Sequence, residues 1–496
     1  MRDTQHVDVL IVGAGLSGIG AAHWLQMLAP ERSWTILEGR EDAGGTWDLF
    51  RYPGVRSDSD MHTLGYGFKP WTKAEAIADG GSILAYVRQT ADEFGISEHI
   101  QFGHRVERAE WDGGTGRWML HSRVSGHDEP VVHTCGFLFM CAGYYSYEGG
   151  HRPSFTGEER FRGPIVHPQD WPEDLDHAGK RVVVIGSGAT AVSLVPAMAG
   201  ESEHVTMLQR TPTWMVSTPS VDRIAVGLRA VLPERLAYAA TRRKNSWRAE
   251  FFYNLTSSKP NEVGSRLLGR AREALGDEEV AANFTPDYDP WDQRMCFMPD
   301  GDLFAAIKSG DASVVTDTIE TFTETGIRLS SGAHLEADIV VSATGLQMVT
   351  LGDMDVVVDG TQVDFAQTWT YRGVAFSDVP NLVSTFGYVN ASWTLRADLI
   401  AQFVCRVLHH LSNTGTDVMT PRLRPSDRDM APRPFIEDFS PGYMARMMPR
   451  LPKQGDRDPW TNPQRYSVDR KALAKAPLDD GALVFSRTAS GQAGNR

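Results

Sequence analysis

The chain has 496 residues, 41% of them apolar, and at roughly 150 residues per domain it can form two or three domains around a large core. Sixty-three acidic against forty-nine basic side chains leave a formal charge of −14, which argues against nucleic acid as a partner and names no substrate. Cys135, Cys141, Cys296 and Cys405 form no CxxC pair and no dense framework, which argues against zinc, dithiol and disulfide chemistry, so all four are read as reduced thiols and no metal site is expected.

The N-terminus enters a strand at once, leaving no room for a signal peptide, and no run reaches the roughly 18 apolar residues of a membrane span, so the cytoplasm is the expected compartment. The first element, VDVLIVGAGLSGIGAAHWL, is a β-branched run from Val7 to Val12 that meets Gly13, Gly15 and Gly18 and then a helical pattern. Such glycines let a turn close, let the backbone approach a pyrophosphate and let the helix pack on the strand, while the helix N-terminus offers free N–H groups to the anion. A second apolar segment, WTILEGR, delivers Glu38 about twenty residues later, where a carboxylate accepts ribose hydroxyls. This reads as a dinucleotide fold.

RVVVIGSGATAVSLVPAMA repeats the pattern behind the strand Val182 to Ile185. Gly186, Ser187 and Gly188, followed by Ala189, Thr190 and Ala191 at the helix start, are the expected contacts of a second dinucleotide. Its next strand, HVTMLQR, ends in Gln209, Arg210 and Thr211 rather than in an acid, so a 2'-phosphate would meet a guanidinium and a hydroxyl, which points to NADP; a plain surface arginine is the alternative. Two such folds of opposite preference imply FAD reduced by NADPH. Because LFMCAGYYS (138–146) and ADIVVSATG (337–345) are both strands closing on small-residue turns, the second fold is expected to interrupt the first. The expected class is α/β, with two nested Rossmann-type domains: residues 1–150 for the first part of the FAD domain, a 151–179 linker, 180–345 for the NADPH domain, and 346–496 for the remainder of the FAD domain and a C-terminal segment.

Within 180–345, residues 215–290 turn helical and basic, with Arg223, Arg229, Arg235, Arg242, Arg243, Lys244 and Arg248 among apolar residues. An amphipathic insertion packed on the core is expected, and a peripheral membrane or lipid contact is the alternative. The tail after Ser486 is read as disordered.

FRGPIVHPQDWP carries Phe161, Gly163, His167, Trp171 and Pro172 in the pattern FxGxxxHxxxWP, which resembles the fingerprint of the Baeyer-Villiger monooxygenases. GGTWDLFRYPGVRSDSDMHTLGYGFKPW (44–71), DPWDQRMCFMPDGDLF (289–304), GYVNASWTLRADL (387–399) and LPKQG (451–455) are similar to the bacterial subgroup that holds ethionamide-activating and long-chain alkane monooxygenases. The resemblance implies that NADPH reduces FAD, that a peroxide carried on the flavin at C4a attacks a ketone to give an ester or lactone, and that sulfides and thioamides are S-oxygenated. Arg294, held by Asp58, is implied as the catalytic cation. Ser17, Glu38, Gly45, Thr46, Trp47, Asp48, Leu49 and Arg56 are implied to line FAD, with backbone contacts from Val106 to the adenine. His167 is implied to couple the domains rather than to act as acid or base, with a packing role as the alternative. Where many relatives place Lys before the arginine this chain has Gln293, which leaves the 2'-phosphate to Arg210 and Thr211. Long-chain hydrocarbon oxidation, and NADPH oxidation without oxygenation, stand as alternative activities, and the partners expected are an apolar small molecule and O2, with no nucleic acid.

Overall fold

The computed structural model describes residues 5–437 and 441–488. Strand β1 (Gln5–Val12) lies parallel between β2 (Trp34–Leu37) and β6 (Val131–Met140), with Val9, Leu10 and Ile11 fully buried. A strand covered on both faces needs an unbroken β-branched run rather than alternation, and each such side chain contributes roughly 1.5–3 kcal/mol by leaving water. The sheet extends past β2 to β3 (Ile100–Gln101), and past β6 through β5 (Arg117–Val124) and β4 (His104–Asp112) to Asp355–Val358 and Thr361–Gln362. Where β5 leaves β6, Leu382–Ser384 takes its place, pairing with Leu138–Met140. The last three of these strands come from beyond residue 350, so the first sheet is completed only after the chain has left the second fold.

Helix α1 (Leu16–Leu28) packs on this sheet together with α5 (Trp393–Thr414), burying Ile19, Ala22, Leu25, Ile400, Phe403 and Val407 in one cluster. The second sheet is parallel throughout, in the order β10 (Ala312–Thr316), β9 (His204–Gln209), β8 (Arg181–Ile185), β11 (Ile339–Ser342), β7 (Ile165–Val166). Helix α2 (Ala189–Met198) covers it through Val192, Leu194 and Val195. Nesting is thus visible in the strand orders themselves.

The segment expected to be helical over 215–290 begins instead as a strand: Met215–Thr218 pairs in parallel with Cys296–Pro299 and brackets the insertion. Between them lie α3 (Arg223–Val231), α4 (Glu234–Ser258), Pro260–Leu275 and Asp277–Asn283. Asp222 caps α3 by accepting from the N–H groups of Ile224 and Ala225, both at 3.0 Å. The inner face of α4 is tied down by Arg242, which donates to the carbonyls of His62 (3.2 Å), Thr63 (3.0 Å) and Gly65 (2.6 Å) and pairs with Asp398 at 3.3 Å. The basic stretch therefore turns part of its charge inward, and at Arg242 one guanidinium satisfies several buried carbonyls at once. All four cysteines are free and buried. Of the tail after Ser486, Arg487 donates to Gly415 O at 2.7 Å and Thr488 N to Asp417 at 3.3 Å, so these two are ordered against the fold; the rest lies outside the described residues.

Candidate active site

The turn after β1 works by exclusion. Gly13 sits at φ +103, where a Cβ would lie 2.6 Å from the carbonyl oxygen of Cys141, and at Gly18 it would lie 1.8 Å from that of Gly13. The first glycine seats the turn against the adjoining strand end, and the last lets α1 pack on β1. Gly15, the cap of α1, supplies no side-chain partner, so the first N–H groups of the helix remain available beside the cleft. Glu38 follows β2 and is buried, accepting from Ala14 N at 2.6 Å and from Arg40 N at 2.9 Å. Burial pushes its carboxyl up, and the two N–H donors and Arg40 hold it down. As a carboxylate it would keep two of about four lone-pair sites free, which is what two ribose hydroxyls require.

The cleft, which opens to solvent, spans about 1430 Å³ of atom-free space including that opening, and is lined at this end by Gly13, Gly15, Ser17, Glu38, Gly45, Thr46 and Trp47. Val106 and Gly39 line an adjoining recess beyond Glu38. These residues fit the adenosine and pyrophosphate of FAD: a buried acid, a glycine turn that a Cβ would fill, and an uncapped helix start. Asp48 and Leu49 are set back from the lining. Asp48 is buried between Arg40 (2.7 Å), Arg51 (3.0 Å) and Arg88 (2.8 Å), and Leu49 packs toward the second domain's core. Asp48 thereby acts as the anchor of three guanidinium groups, a role that neighbours in sequence do not reveal.

The second glycine turn is built alike but stands more open. Gly186, at φ +135, would place a Cβ 2.3 Å from Ala343 O, whereas Gly188 has no neighbour within 4 Å of such an atom. Ser187 donates to Thr211 O at 3.1 Å and lies 2.9 Å from the Thr213 hydroxyl, tying the turn to the end of β9. Ala191 is fully buried and takes the packing position of the third glycine. Arg210 is exposed and meets no carboxylate among the described residues, and Thr211 stands half-buried beside it. An unpaired guanidinium next to a hydroxyl is the donor set a 2'-phosphate needs. Ala189 and Thr190, at the start of α2, line the same cleft as Gly13 and Glu38. Arg56, also in the lining, pairs with Asp302 and donates to Val192 O at 3.4 Å, so it joins the two domains.

Between the two turns, Arg294 reaches Asp58 through Nε and Nη2, both 3.2 Å from Oδ2. The two residues are 236 apart in sequence. Arg294 precedes the strand Cys296–Pro299, and the chain reaches it through Trp291, whose φ of +77 is a strained conformation for a bulky residue. Burial disfavours the charge of Arg294, but Asp58 and the hydroxyls of Tyr443, Tyr144 and Tyr145 outweigh it and hold the guanidinium above its ordinary range. Its side chain keeps 35% exposure and lines the cleft, so one face of a fixed cation is open to whatever binds there.

The residues of FRGPIVHPQDWP lie where the chain crosses between sheets. Phe161 is buried and meets Phe322 edge-on at 6.1 Å; at Gly163 a Cβ would lie 2.2 Å from Asp338 O; Trp171 is half-buried against the core of the second domain. His167 Nδ1 accepts from Gln169 N at 3.2 Å while Nε2 lies 3.1 Å from Gly345 O, which sets the neutral tautomer with the proton on Nε2. Burial lowers its pKa. It thus clasps the outgoing crossing to the returning one, and it does not line the cleft.

Several lining residues carried no assigned role from sequence. Tyr144 and Tyr145 follow β6, with hydroxyls 3.1 Å apart; Trp393 donates to the Ser17 hydroxyl at 2.7 Å; Tyr388 stands in the same wall. The signal lies in LFMCAGYYS and GYVNASWTL, but nothing local says which side of a strand end faces a cleft.

Residues 76–257 match the flavin-binding monooxygenase-like family, and residues 11–79 match an NAD(P)-binding Rossmann-like domain. Over 486 residues the chain is 50% identical to the FAD-containing monooxygenase EthA of Mycobacterium tuberculosis, covering 98% of each. It is 46% identical over 484 residues to the probable FAD-binding monooxygenase AlmA of Acinetobacter baylyi, covering 97% of each. A solved structure of oxidized steroid monooxygenase bound to NADP aligns over 97% of this chain and 100% of its own, with a TM-score of 0.77 at 22% identity, a likeness of fold.

Proposed function

The chain belongs to the FAD-containing monooxygenases, and on that premise we propose that it inserts one atom of O2 beside the carbonyl of an apolar ketone, giving an ester or lactone, and that it also oxygenates sulfides and thioamides. Bound FAD, once reduced by NADPH, would supply the activated oxygen. Glu38 and the N-terminus of α1 would hold the FAD ribose and pyrophosphate, and Arg210 with Thr211 would hold the 2'-phosphate of NADPH. Arg294 faces the reacting carbonyl and stabilises the negative charge that its oxygen gains as the carbon becomes tetrahedral. Asp58 keeps the guanidinium aimed, so the cation needs no reorganisation when that charge develops. Tyr144, Tyr145 and Trp393 exclude water around it.

The observation that carries this reading is the Arg294–Asp58 pair lining the cleft that holds Glu38 and Gly13. A cation there suits oxygen transfer to a carbonyl and does nothing for attack on an unactivated C–H bond. The test is product analysis under 18O2 with a long-chain 2-ketone and the matching alkane, beside a count of NADPH consumed. Labelled ester from the ketone and no alcohol from the alkane is expected. Alcohol from the alkane alone would replace the reading with hydrocarbon oxidation, and NADPH consumption indifferent to either compound would replace it with oxidase activity.

A further inference from the structure

Among the described residues, seven of the thirteen large apolar side chains left exposed fall between residues 224 and 251, so the exposed apolar surface is concentrated on α3, α4 and the turn between them. At the turn Val231 is 76% exposed, with Leu232 and Leu236 beside it. Along α4, Leu236, Ala240, Arg243, Trp247 and Phe251 recur at steps of three and four and share an arc of about 80° over about 22 Å of helix. The opposite side of the helix carries the buried Tyr238, Asn245 and Thr256. Trp247, 66% exposed, stacks on Phe251 with ring centroids 5.3 Å apart.

Residues 223–251 hold seven basic side chains against two acidic ones in a chain whose formal charge is −14. Three of the seven are spent inside the fold: Arg242 on Asp398, Lys244 on Asp222 at 2.7 Å, and Arg229 on the carbonyls of Thr72 and Lys73. The other four, Arg223, Arg235, Arg243 and Arg248, are exposed and meet no carboxylate among the described residues. A water-facing helix has no use for a Trp–Phe pair, and a partner copy turned onto the same face would set arginine against arginine. Apolar side chains interleaved with unpaired arginines are complementary to one thing, an interface that is apolar within and anionic at its rim.

We propose that the α3–α4 face docks this enzyme on an anionic lipid surface, with Val231, Leu236, Trp247 and Phe251 entering the headgroup boundary and Arg235, Arg243 and Arg248 engaging the phosphates. The docking is reversible and peripheral, since the apolar area is one helix hairpin and no described helix is long and apolar enough to cross a membrane. The same α4 is pinned through Arg242 and Asn245 to the segment His62–Gly65 and to Asp60, so the docked face stands one helix away from the loop that carries Asp58. The inference holds whichever apolar substrate is oxidised.

The test sediments full-length, FAD-loaded protein with vesicles of phosphatidylcholine alone or with about one-third phosphatidylglycerol. The unmodified protein is expected in the pellet with anionic vesicles and in the supernatant with neutral ones. Arg243→Glu/Arg248→Glu and Trp247→Ser/Phe251→Ser are each expected to weaken partitioning at least ~10-fold, with flavin content and Tm unchanged. Both pairs are exposed and lie outside the cleft; should the apolar pair lower Tm, the arginine pair decides alone. Retention in the supernatant with both vesicles, equal binding to both, or binding untouched by the arginine pair would overturn the proposal. So would a protein that ignores vesicles but runs as an oligomer that Trp247→Ser/Phe251→Ser dissociates, since the face would then belong to a second copy.

Discussion

Replacing Arg210 by Ala isolates the nicotinamide-cofactor preference from everything else in the site. Arg210 is exposed, directly follows β9 and makes no ion pair among the described residues, so its removal costs the fold no more than about 0.5 kcal/mol. Toward a 2'-phosphate it offers charge-assisted hydrogen bonds of about 1.5–3 kcal/mol each, and its exposure to solvent keeps the gain near the lower end. About 1.5–2 kcal/mol corresponds to a loss of roughly 10–30-fold in kcat/KM for NADPH. NADH has no 2'-phosphate and should be consumed as before. Steady-state oxidation of both cofactors, read as the ratio of their kcat/KM values, checks this. Arg210→Lys should fall between, because the ammonium keeps the charge and loses the planar fork. The preference should also shrink as salt is raised. Equal losses for NADPH and NADH, or no loss, would refute the assignment and return Arg210 to an ordinary strand end.

Arg294→Ala is expected to lower ester formation by about 100- to 1000-fold while leaving reduction by NADPH intact, so that hydrogen peroxide replaces product; unchanged product per NADPH would count against the cation's role. Asp58→Asn, which leaves the guanidinium in place but loosens it, should give a smaller loss of the same kind. His167→Ala leaves Gln169 N and Gly345 O without their partner and should cost about 2 kcal/mol in a denaturant titration, and an unchanged midpoint would show that the clasp is dispensable. His23 is buried against Phe68, with ring centroids 3.5 Å apart, and burial lowers its pKa to about 4. Because the folded pKa lies below the unfolded one near 6.5, its contribution is complete above about pH 6.5 and is lost as pH falls toward 4. Between pH 7 and 5 the unmodified protein should therefore lose about 2 kcal/mol relative to His23→Phe, measured as the difference of their urea stabilities; parallel pH profiles would show that His23 does not titrate as described.

What could be read from sequence was what is local in the chain. The glycine turns at Gly13 and Gly186 need particular backbone shapes within six residues, and Glu38 follows one strand later, so spacing alone located the two tight turns and the buried acid beside the first. Nesting was legible too, since two strand ends of the same type flank the second fold. Asp58 and Arg294 were selected by resemblance and not by chemistry, because 236 residues separate them and nothing in either neighbourhood calls for the other. The setback of Asp48 was hidden for the same reason: Arg40 and Arg51 are near in sequence, but Arg88 arrives from a separate helix. In the insertion the composition told the basic and apolar character but not its division, which depends on which face of α4 meets Asp398 and Asp60.

The first sheet takes in Asp355–Val358, Thr361–Gln362 and Leu382–Ser384, strands that follow the entire second fold. On the ribosome, where chains emerge at about 5–20 residues per second, β6 waits for its neighbour at Leu382 for more than ten seconds after its own synthesis. The interrupting unit, whose five parallel strands are all supplied by 165–342, is complete well before that. All strands of the inner unit are therefore made before the outer sheet can be completed, which leaves the Leu138–Met140 edge of β6 open to a chaperone or a stray strand during synthesis.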